Sequence, residues 1–308
     1  MTSIAIHGSR GYLGRELVRL LHRHPHVDDL QLVSDSQIGV PYAEAVPGFQ
    51  RVQTPFISSD NADADVTFYA TGHGYAAEHA PTVQGHVIDL SRDHRAAALE
   101  GNGWHYGLAD IDPPAKGTQA IANPGCYPTA SLLAALPALQ NGRANGPLIV
   151  DGKSSISGAG ATPREDLHFP AANEAVRAYK VLGHDHQAEI AGKSGLKTRF
   201  TPHLVPMGRG LLSTVYLQTD ADAEEIRAAY AAAYQDTAFV QFGPEPDTSH
   251  VARTNHAQVA VDVDDGILVA RCAIDNLQKG GSGQAVQNLN HIMGWAPDAG
   301  LDHVGGGP

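Results

Sequence analysis

The N-terminal stretch joins a buried-strand pattern to a glycine turn and then to a helix pattern. The apolar run 3–6 leads into Gly8, Gly11 and Gly14, and leucines recur at helical spacing over residues 13–21. Such a turn lets the backbone approach a pyrophosphate, which the N-terminus of the following helix attracts. The spacing is GxxGxxG rather than GxGxxG, so an ordinary strand-to-helix turn explains it equally well.

Further strand patterns divide the chain into two regions. Short apolar runs over 30–33, 65–70 and 87–90 alternate with helix patterns, which predicts a parallel sheet. Beyond residue 198 the strands show the alternation typical of antiparallel sheets. We therefore predict an α/β protein with an N-terminal Rossmann-like parallel sheet and a second α+β domain built on a mainly antiparallel sheet. The predicted dinucleotide-binding domain is 1–125 plus 283–308, and the predicted catalytic, substrate and dimerisation domain is 126–282.

The residues after the second strand bear on the choice of dinucleotide. Asp35 would accept a ribose 2′-hydroxyl and favour NAD, whereas Ser34, Ser36 and Arg10 would accommodate a 2′-phosphate. The balance favours NADP, although all of these residues also suit a simple turn. The predicted cofactor-binding residues lie in the glycine turn and at the carboxyl ends of strands: Gly8, Arg10, Gly11, Tyr12, Leu13, Gly14, Ser34, Ser36, Thr71, Gly72 and Ser91.

One of the two cysteines lies in a rigid turn ahead of a helix. Pro124 and Gly125 precede Cys126, and a helix pattern begins near Thr129, so we expect Cys126 in a loop just before a helix N-terminus. The positive end of the helix dipole favours a thiolate, the nucleophilic form. A buried structural cysteine is the competing interpretation. Cys272 lies in a strand pattern and is predicted to be core.

A second chemical cluster follows about 60 residues later. His186 and Glu189 are three residues apart, so they share one face at the start of a helix, and His184 lies just before them. A carboxylate that orients an imidazole serving a thiol is the nucleophile–base–orienter arrangement. The pair of histidines with a carboxylate also resembles a metal-ligand set, and chance clustering is a third reading in a chain with 17 histidines.

Two further stretches suit an anionic substrate. Residues 152–160 are rich in serine and glycine, and Ser155 and Ser157 could bind an anion if this stretch is more than a flexible loop. His203 and Arg209 lie beside prolines and glycines, where an arginine could fork onto a carboxylate or phosphate or simply face solvent.

Composition limits the partners and the compartment. The 308 residues carry a net charge of −12 and no basic run, which argues against nucleic acid. Two cysteines, one of them core-like, offer no disulfide framework, and neither a membrane span nor a signal peptide is evident. We expect a cytoplasmic protein.

Taken together, the motifs resemble N-acetyl-γ-glutamyl-phosphate reductase, of the semialdehyde dehydrogenase superfamily. The matching stretches run in family order: the glycine turn 8–17, DLS at 89–91, PGCYPT at 124–129, SGAG at 157–160, HDHQAEI at 184–190, FTPHL at 200–204, RG at 209–210 and DNLQKGGSGQAVQ at 275–287. The chain departs from the family pattern at three positions. Asp185 and Ala188 replace the usual arginine and proline of the histidine motif. The arginine that commonly follows SGAG is Ala161 here, with Arg164 nearby.

The resemblance implies a reaction and the residues that perform it. Cys126 would form a thioester with an acyl phosphate, NADPH would reduce it to N-acetylglutamate semialdehyde in arginine biosynthesis, and His186 or else His184 would move protons, with Glu189 as orienter. Asn276 and Gly280 would approach the nicotinamide. No metal is implied, and relatives assemble as dimers or tetramers. The alternatives are the homologous aminoadipyl-phosphate reductase of lysine biosynthesis, whose substrate can be carrier-bound, a metal-dependent hydrolase using His184 and His186, and a cofactor-binding sensor without turnover.

Overall fold

The computed structural model describes residues 1–301, which form two compact units. The first comprises Met1–Ala109, Pro113–Asn123 and Gly281–Leu301, and the second comprises Asp110–Asp112 and Pro124–Gly280. The predicted dinucleotide-binding domain includes the segment 283–308. Residues 302–308 of that segment lie outside the described residues.

Within the described residues, the first unit contains a seven-stranded sheet in which every pairing is parallel. Its strands are β1 (Ser3–His7), β2 (Asp29–Val33), β3 (Phe56–Ile57), β4 (Val66–Tyr69), β5 (His86–Asp89), β6 (His105–Tyr106) and β7 (Ala120–Ala122), in the order β3-β2-β1-β4-β5-β7-β6. The helices of this unit are α1 (Tyr12–Leu21), α2 (Tyr42–Ala45), α3 (Tyr75–His79), α4 (Arg95–Leu99) and α10 (Gly283–Met293). The predicted Rossmann-like sheet is confirmed, because β1 lies between β2 and β4 and brings the carboxyl ends of three strands together.

The part of the second unit that the structure describes is built on a mixed, mainly antiparallel sheet. Its strands are β8 (Asn145–Ser155), β9 (Arg177–Ala178), β10 (Thr198–Val205), β11 (Leu211–Gln218), β12 (Val240–Phe242), β13 (Ala257–Asp264) and β14 (Ile267–Ile274), in the order β12-β13-β14-β11-β8-β10-β9. Its helices are α5 (Cys126–Gln140), α6 (Phe169–Ala172), α7 (Asp185–Ser194), α8 (Ala223–Tyr234) and α9 (Thr248–Val251). The predicted α+β architecture is confirmed.

Helix α5 is the centre of the second unit. Every residue from Tyr127 to Ala138 is buried, which is typical of a helix enclosed on all sides. It packs on β8, β11, β13 and β14, while α7 and α8 lie beside it. The same helix carries Cys126 at its first position, so the core of the unit holds the cysteine in place.

Within the described residues, three large side chains on the other face of this sheet are exposed. Ile149 of β8 lies opposite Tyr216 of β11, and their side chains are 48% and 37% exposed. Ile267 of β14, on the next strand, is 39% exposed. Strand residues alternate between faces, so these side chains point away from α5.

Cys272 is confirmed as a core residue. It is fully buried in β14, and its neighbours on the same face, Leu268, Ala270 and Ile274, are buried with it. Burial raises the pKa of the Cys272 thiol well above its usual value, which keeps it neutral.

Candidate active site

Cys126 is the first residue of α5 rather than part of a loop before it. Gly125 is the N-cap, with extended backbone angles (φ −70°, ψ 162°) and no side-chain cap hydrogen bond. The sequence prediction placed the helix start later because Pro128 interrupts the pattern. Proline is tolerated in a first helical turn, where its missing N–H has no partner to lose. The half-buried Cys126 therefore lies directly at the positive end of the helix dipole.

Gly280 packs directly against the cysteine. It lies in a π-helical turn, Gln278–Ser282, where its N–H donates to the carbonyl of Asp275 at 2.9 Å. A Cβ atom added to Gly280 would lie 2.7 Å from the Cβ of Cys126. Only glycine fits so close, so the predicted importance of Gly280 has a steric basis within the second unit, whereas its contact with a nicotinamide remains a prediction.

The two predicted histidines lie together at the start of α7. His184 is the N-cap, and its Nδ1 accepts the backbone N–H of His186 at 3.1 Å. The two rings are 4.6 Å apart, and each lies 6.0 Å, edge-on, from the ring of Tyr127, the residue after the cysteine. Burial, assisted by the charge of Lys180, lowers the pKa of His184, so this imidazole is neutral at physiological pH.

Glu189 supports the turn that precedes the cysteine. Its side chain is 6% exposed, and its Oε1 accepts the backbone N–H of Gly125 at 2.9 Å. The sequence predicted that this carboxylate orients an imidazole. The structure shows a hydrogen bond to the backbone of the N-cap before Cys126, which the spacing of His186 and Glu189 does not reveal, and the orienting of an imidazole by Glu189 remains a prediction.

A tyrosine that the sequence did not predict as a site residue lies near the Cys126 thiol. Tyr179 contacts the ring of His184 edge-on at 5.5 Å. Burial raises the pKa of Tyr179 to about 12, with a hydrogen bond to Tyr127 opposing the shift and the charge of Cys126 adding to it. Its position five residues before His184, in a stretch without helix or strand pattern, gave no signal.

Ser155 and Ser157 form a hydrogen-bonded network with Asn276. The Asn276 Oδ1 accepts the Ser155 hydroxyl at 3.0 Å and the Gly210 N–H at 2.9 Å, while its Nδ2 donates to the Ser157 hydroxyl at 3.0 Å. The predicted loop 152–160 is wrong at its start, because β8 continues to Ser155 and a 3₁₀ turn follows at Ile156–Ala159. Pairing with β10 and β11 on both sides keeps residues 152–155 extended.

Arg209 and His203 both lie close to carboxylates of the chain itself. Arg209 forks onto Asp275, with Nε–Oδ2 and Nη2–Oδ1 distances of 2.8 and 3.1 Å, and this carboxylate is fully buried. His203 lies 3.2 Å from Asp151, on the face of β10 and β8 opposite to α5. The structure does not bring His203 to the side of the sheet that holds Cys126, and substrate binding by these two residues remains a prediction.

In the first unit, the glycine turn is tightly packed against β4. Gly8 has φ +79°, and a Cβ atom there would lie 2.4 Å from the carbonyl oxygen of Ala70. A Cβ atom on Gly14 would lie 2.2 Å from the carbonyl oxygen of Gly8, so α1 starts directly against the turn. The turn therefore adjoins Thr71 and Gly72, which follow β4, as the strand-end argument predicts.

The residues present fit a dinucleotide phosphate. Helix α1 begins at an N-cap glycine, Gly11, without a side-chain cap. Among residues 1–301, the buried hydroxyls of Ser9 and Thr71 have no hydrogen-bond partner. Hydroxyl donors beside an uncapped helix N-terminus suit an anion. Ser9 was not predicted, although it lies inside the glycine turn.

The remaining predicted cofactor residues lie around this turn. Arg10 and Tyr12 are exposed and Leu13 is half-buried. Ser34 and Ser36 follow β2, with their hydroxyls 3.4 Å apart. Ser91 is buried and donates its hydroxyl and its N–H to Asp89, at 3.0 and 2.7 Å, so its predicted cofactor contact competes with a structural one.

The metal-dependent hydrolase predicted as an alternative would need a cluster of metal-ligating side chains. Within the described residues, no group of three or more histidine, cysteine, aspartate or glutamate side chains is arranged to hold a metal ion. Over the same part of the chain, no helix has the length and hydrophobicity needed to cross a bilayer.

Solved structures of known proteins share this fold. Aspartate semialdehyde dehydrogenase II of Vibrio cholerae superposes with a TM-score of 0.75 over 95% of this chain and 98% of that one, at 18% identity. The aspartate semialdehyde dehydrogenase of Candida albicans, solved with NADP, superposes with a TM-score of 0.70 over 96% of this chain and 98% of that one, at 13% identity.

The sequence comparisons identify the family. Residues 3–119 match the NAD binding domain of semialdehyde dehydrogenase, and residues 126–276 match its dimerisation domain. N-acetyl-gamma-glutamyl-phosphate reductase of Desulforudis audaxviator is 39% identical over 98% of both chains, and that of Halorhodospira halophila is 37% identical over 98% of both. The resemblance found in the motifs is thereby confirmed, and the chain belongs to the N-acetyl-gamma-glutamyl-phosphate reductase family of oxidoreductases.

Proposed function

We propose that this chain reduces N-acetyl-γ-glutamyl phosphate to N-acetylglutamate 5-semialdehyde with NADPH, a step of arginine biosynthesis, through a thioester on Cys126. The observation that carries the proposal is the position of Cys126 at the N-terminus of α5, beside Tyr127 and the two imidazoles that pack against that ring. The dipole favours the thiolate there, and an acyl phosphate is already activated, so no metal is needed.

The bonds change in two stages. The Cys126 thiolate attacks the acyl carbon, the bond to the phosphate oxygen breaks, and inorganic phosphate leaves. NADPH supplies a hydride for the thioester carbon. The oxyanion formed by hydride addition takes a proton from His186 to give the hemithioacetal on Cys126. The hemithioacetal returns that proton as its C–S bond breaks, which releases the aldehyde and restores the thiolate. Fixed residues around the sulfur keep one geometry through both stages, which is the contribution expected of Gly280 and Glu189.

His186 is the better proton carrier of the two histidines. The Nδ1 of His184 accepts the N–H of His186, so in the neutral ring the proton lies on Nε2. Nδ1, the only acceptor atom of the neutral His184 ring, is then occupied. Protonation of His184 at Nδ1 would break the N-cap hydrogen bond. His186 lies within the first turn of α7 and has no such capping role. We assign proton transfer to His186 and anchoring of the helix start to His184.

Replacement of each cysteine tests the proposal. Cys126→Ser should reduce phosphate-dependent reduction of NADP by N-acetylglutamate semialdehyde at least about 1000-fold, since an alkoxide forms far less readily than a thiolate. The variant should still bind NADP. Cys272→Ala is the matched control and should retain activity. Substantial turnover by Cys126→Ser would defeat the assignment, and faster turnover with the one-carbon-longer semialdehyde would move the substrate to the aminoadipyl homologue.

A homodimer would cover the exposed apolar side chains on this face of the sheet of the second unit. The face carries Ile149, Tyr216 and Ile267, and the region belongs to a domain described as a dimerisation domain. Apolar strand residues left open to water favour association with a complementary surface. We propose that two copies of the chain pair through this face, with a tetramer as a further step of assembly.

A further inference from the structure

The acidic residue that follows β2 is held by a serine from the next loop. The Asp35 Oδ1 accepts the backbone N–H of Ser59 at 2.7 Å and its hydroxyl at 3.0 Å, and the same hydroxyl lies 3.1 Å from Oδ2. The Ser59 N–H lowers the pKa of Asp35, so the carboxylate is charged. One residue therefore satisfies acceptor positions on both carboxylate oxygens.

Tyr75 lies beside this pair, at the end of β1. The Tyr75 hydroxyl lies 3.2 Å from the Nδ1 of His7, and Tyr75 stacks on His79 at 3.9 Å. Burial and the nearby charge of Asp35 raise the pKa of Tyr75, and a hydrogen bond to Ser59 opposes them. Tyr75 therefore lies close to Ser59 and Asp35 at the end of β1.

This arrangement bears on the choice between NAD and NADP. A carboxylate after β2 selects NAD when its oxygens accept the ribose hydroxyls. The Asp35 oxygens already accept hydrogen bonds from Ser59, whereas Ser34 and Ser36 on either side are hydroxyl donors that suit a 2′-phosphate. A charged carboxylate in an exposed position repels a phosphate only weakly because water screens it.

We propose that Ser59 is a specificity-determining positioning residue, which suppresses binding of the non-phosphorylated dinucleotide by occupying the carboxylate of Asp35. The inference rests on the proposed use of NADPH and adds the reason why an acidic residue at this position does not reverse that preference. Ser59 acts through Asp35, so its effect should depend on the presence of that carboxylate.

A double-mutant cycle on dinucleotide affinity tests the inference without turnover. Dissociation constants for NADPH and NADH are measured by calorimetry for the full chain and for Ser59→Ala, Asp35→Asn and the double variant. Ser59→Ala should lower the preference for NADPH about three- to tenfold, mainly by tightening NADH. Asp35→Asn should change the preference little, and Ser59→Ala should then have no further effect. Ser58→Ala, at the neighbouring half-buried serine, is the control and should change nothing.

The outcomes separate this inference from the proposed function. The positioning role is overturned if Ser59→Ala leaves the dinucleotide preference unchanged. It is also overturned if Ser59→Ala has an equal effect with and without the Asp35 carboxylate. NADPH use stands in both cases. If the unaltered chain binds neither dinucleotide, the proposed reductase activity fails and the inference with it.

Discussion

A buried ion pair in the second unit allows a stability prediction with a calculable size. Lys279 pairs with Asp110, and their side chains are 0% and 1% exposed. The Lys279 ammonium also lies 5.4 Å from the centre of the Phe239 ring. Burial lowers the pKa of Lys279, and the charge of Asp110 opposes that shift, so the pair depends on both partners.

Lys279→Met removes one charge and leaves the other without its counter-charge in the core. Breaking a buried pair in this way costs about 3–5 kcal/mol of unfolding free energy. With a denaturant dependence of about 3 kcal/mol per molar urea, the unfolding midpoint followed by far-UV circular dichroism should fall by about 1–1.7 M. Lys279→Met combined with Asp110→Leu should regain most of the loss, because a well-packed apolar pair avoids the cost of desolvating charges.

An exposed pair supplies the control. Arg164 pairs with Asp166, and their side chains are 51% and 40% exposed, so Arg164→Met should cost less than about 1 kcal/mol. A loss of less than 1 kcal/mol in Lys279→Met, or a double variant no more stable than the single one, would refute the reasoning that the buried charges depend on each other.

Three further changes have defined outcomes. Glu189→Ala leaves the buried N–H of Gly125 without that acceptor, so the free energy of urea unfolding should fall by about 1–3 kcal/mol. Glu189→Gln keeps an acceptor oxygen and should cost less. Equal losses in the two variants would contradict the hydrogen-bond explanation. Ile149→Asp combined with Tyr216→Asp should convert the proposed dimer to monomers in sedimentation, and an unchanged mass would place the interface elsewhere. Burial lowers the pKa of His7 to about 4 from 6.5, so on acidification the unfolded chain binds a proton at His7 before the folded chain does. The free energy of unfolding should therefore fall by about 3 kcal/mol as pH drops from about 6.5 to 4. His7→Gln should flatten that part of the pH profile, and an unaltered profile would exclude His7 as its cause.

The nucleophile was predictable because its signal is local. The run of proline, glycine, cysteine and proline limits the backbone to a turn followed by a helix, whichever partners the rest of the chain supplies. Only the exact start of α5 was misjudged, by a few residues. Cys272 was equally predictable, since strand alternation alone places it among buried residues.

Residues whose role depends on a distant partner could not be assigned in this way. Glu189 was linked to His186 by helical spacing, yet its hydrogen bond to Gly125 joins positions 64 residues apart. Arg209 suited an anion from the sequence, but its carboxylate is Asp275, 66 residues further on. The sequence does not reveal such contacts between distant residues. Any arginine can pair with any carboxylate, and only the folded sheet decides which two lie side by side.

The sequence by itself determined the two sheet types, the glycine turn and the cysteine at a helix start, since periodicity and backbone restriction act within about ten residues. Only the tertiary structure decided which carboxylate each polar group binds, that Gly280 touches Cys126, and that Ser59 occupies Asp35. Such contacts form between segments brought together by burial of the apolar core, and that burial does not depend on which polar side chains it places side by side.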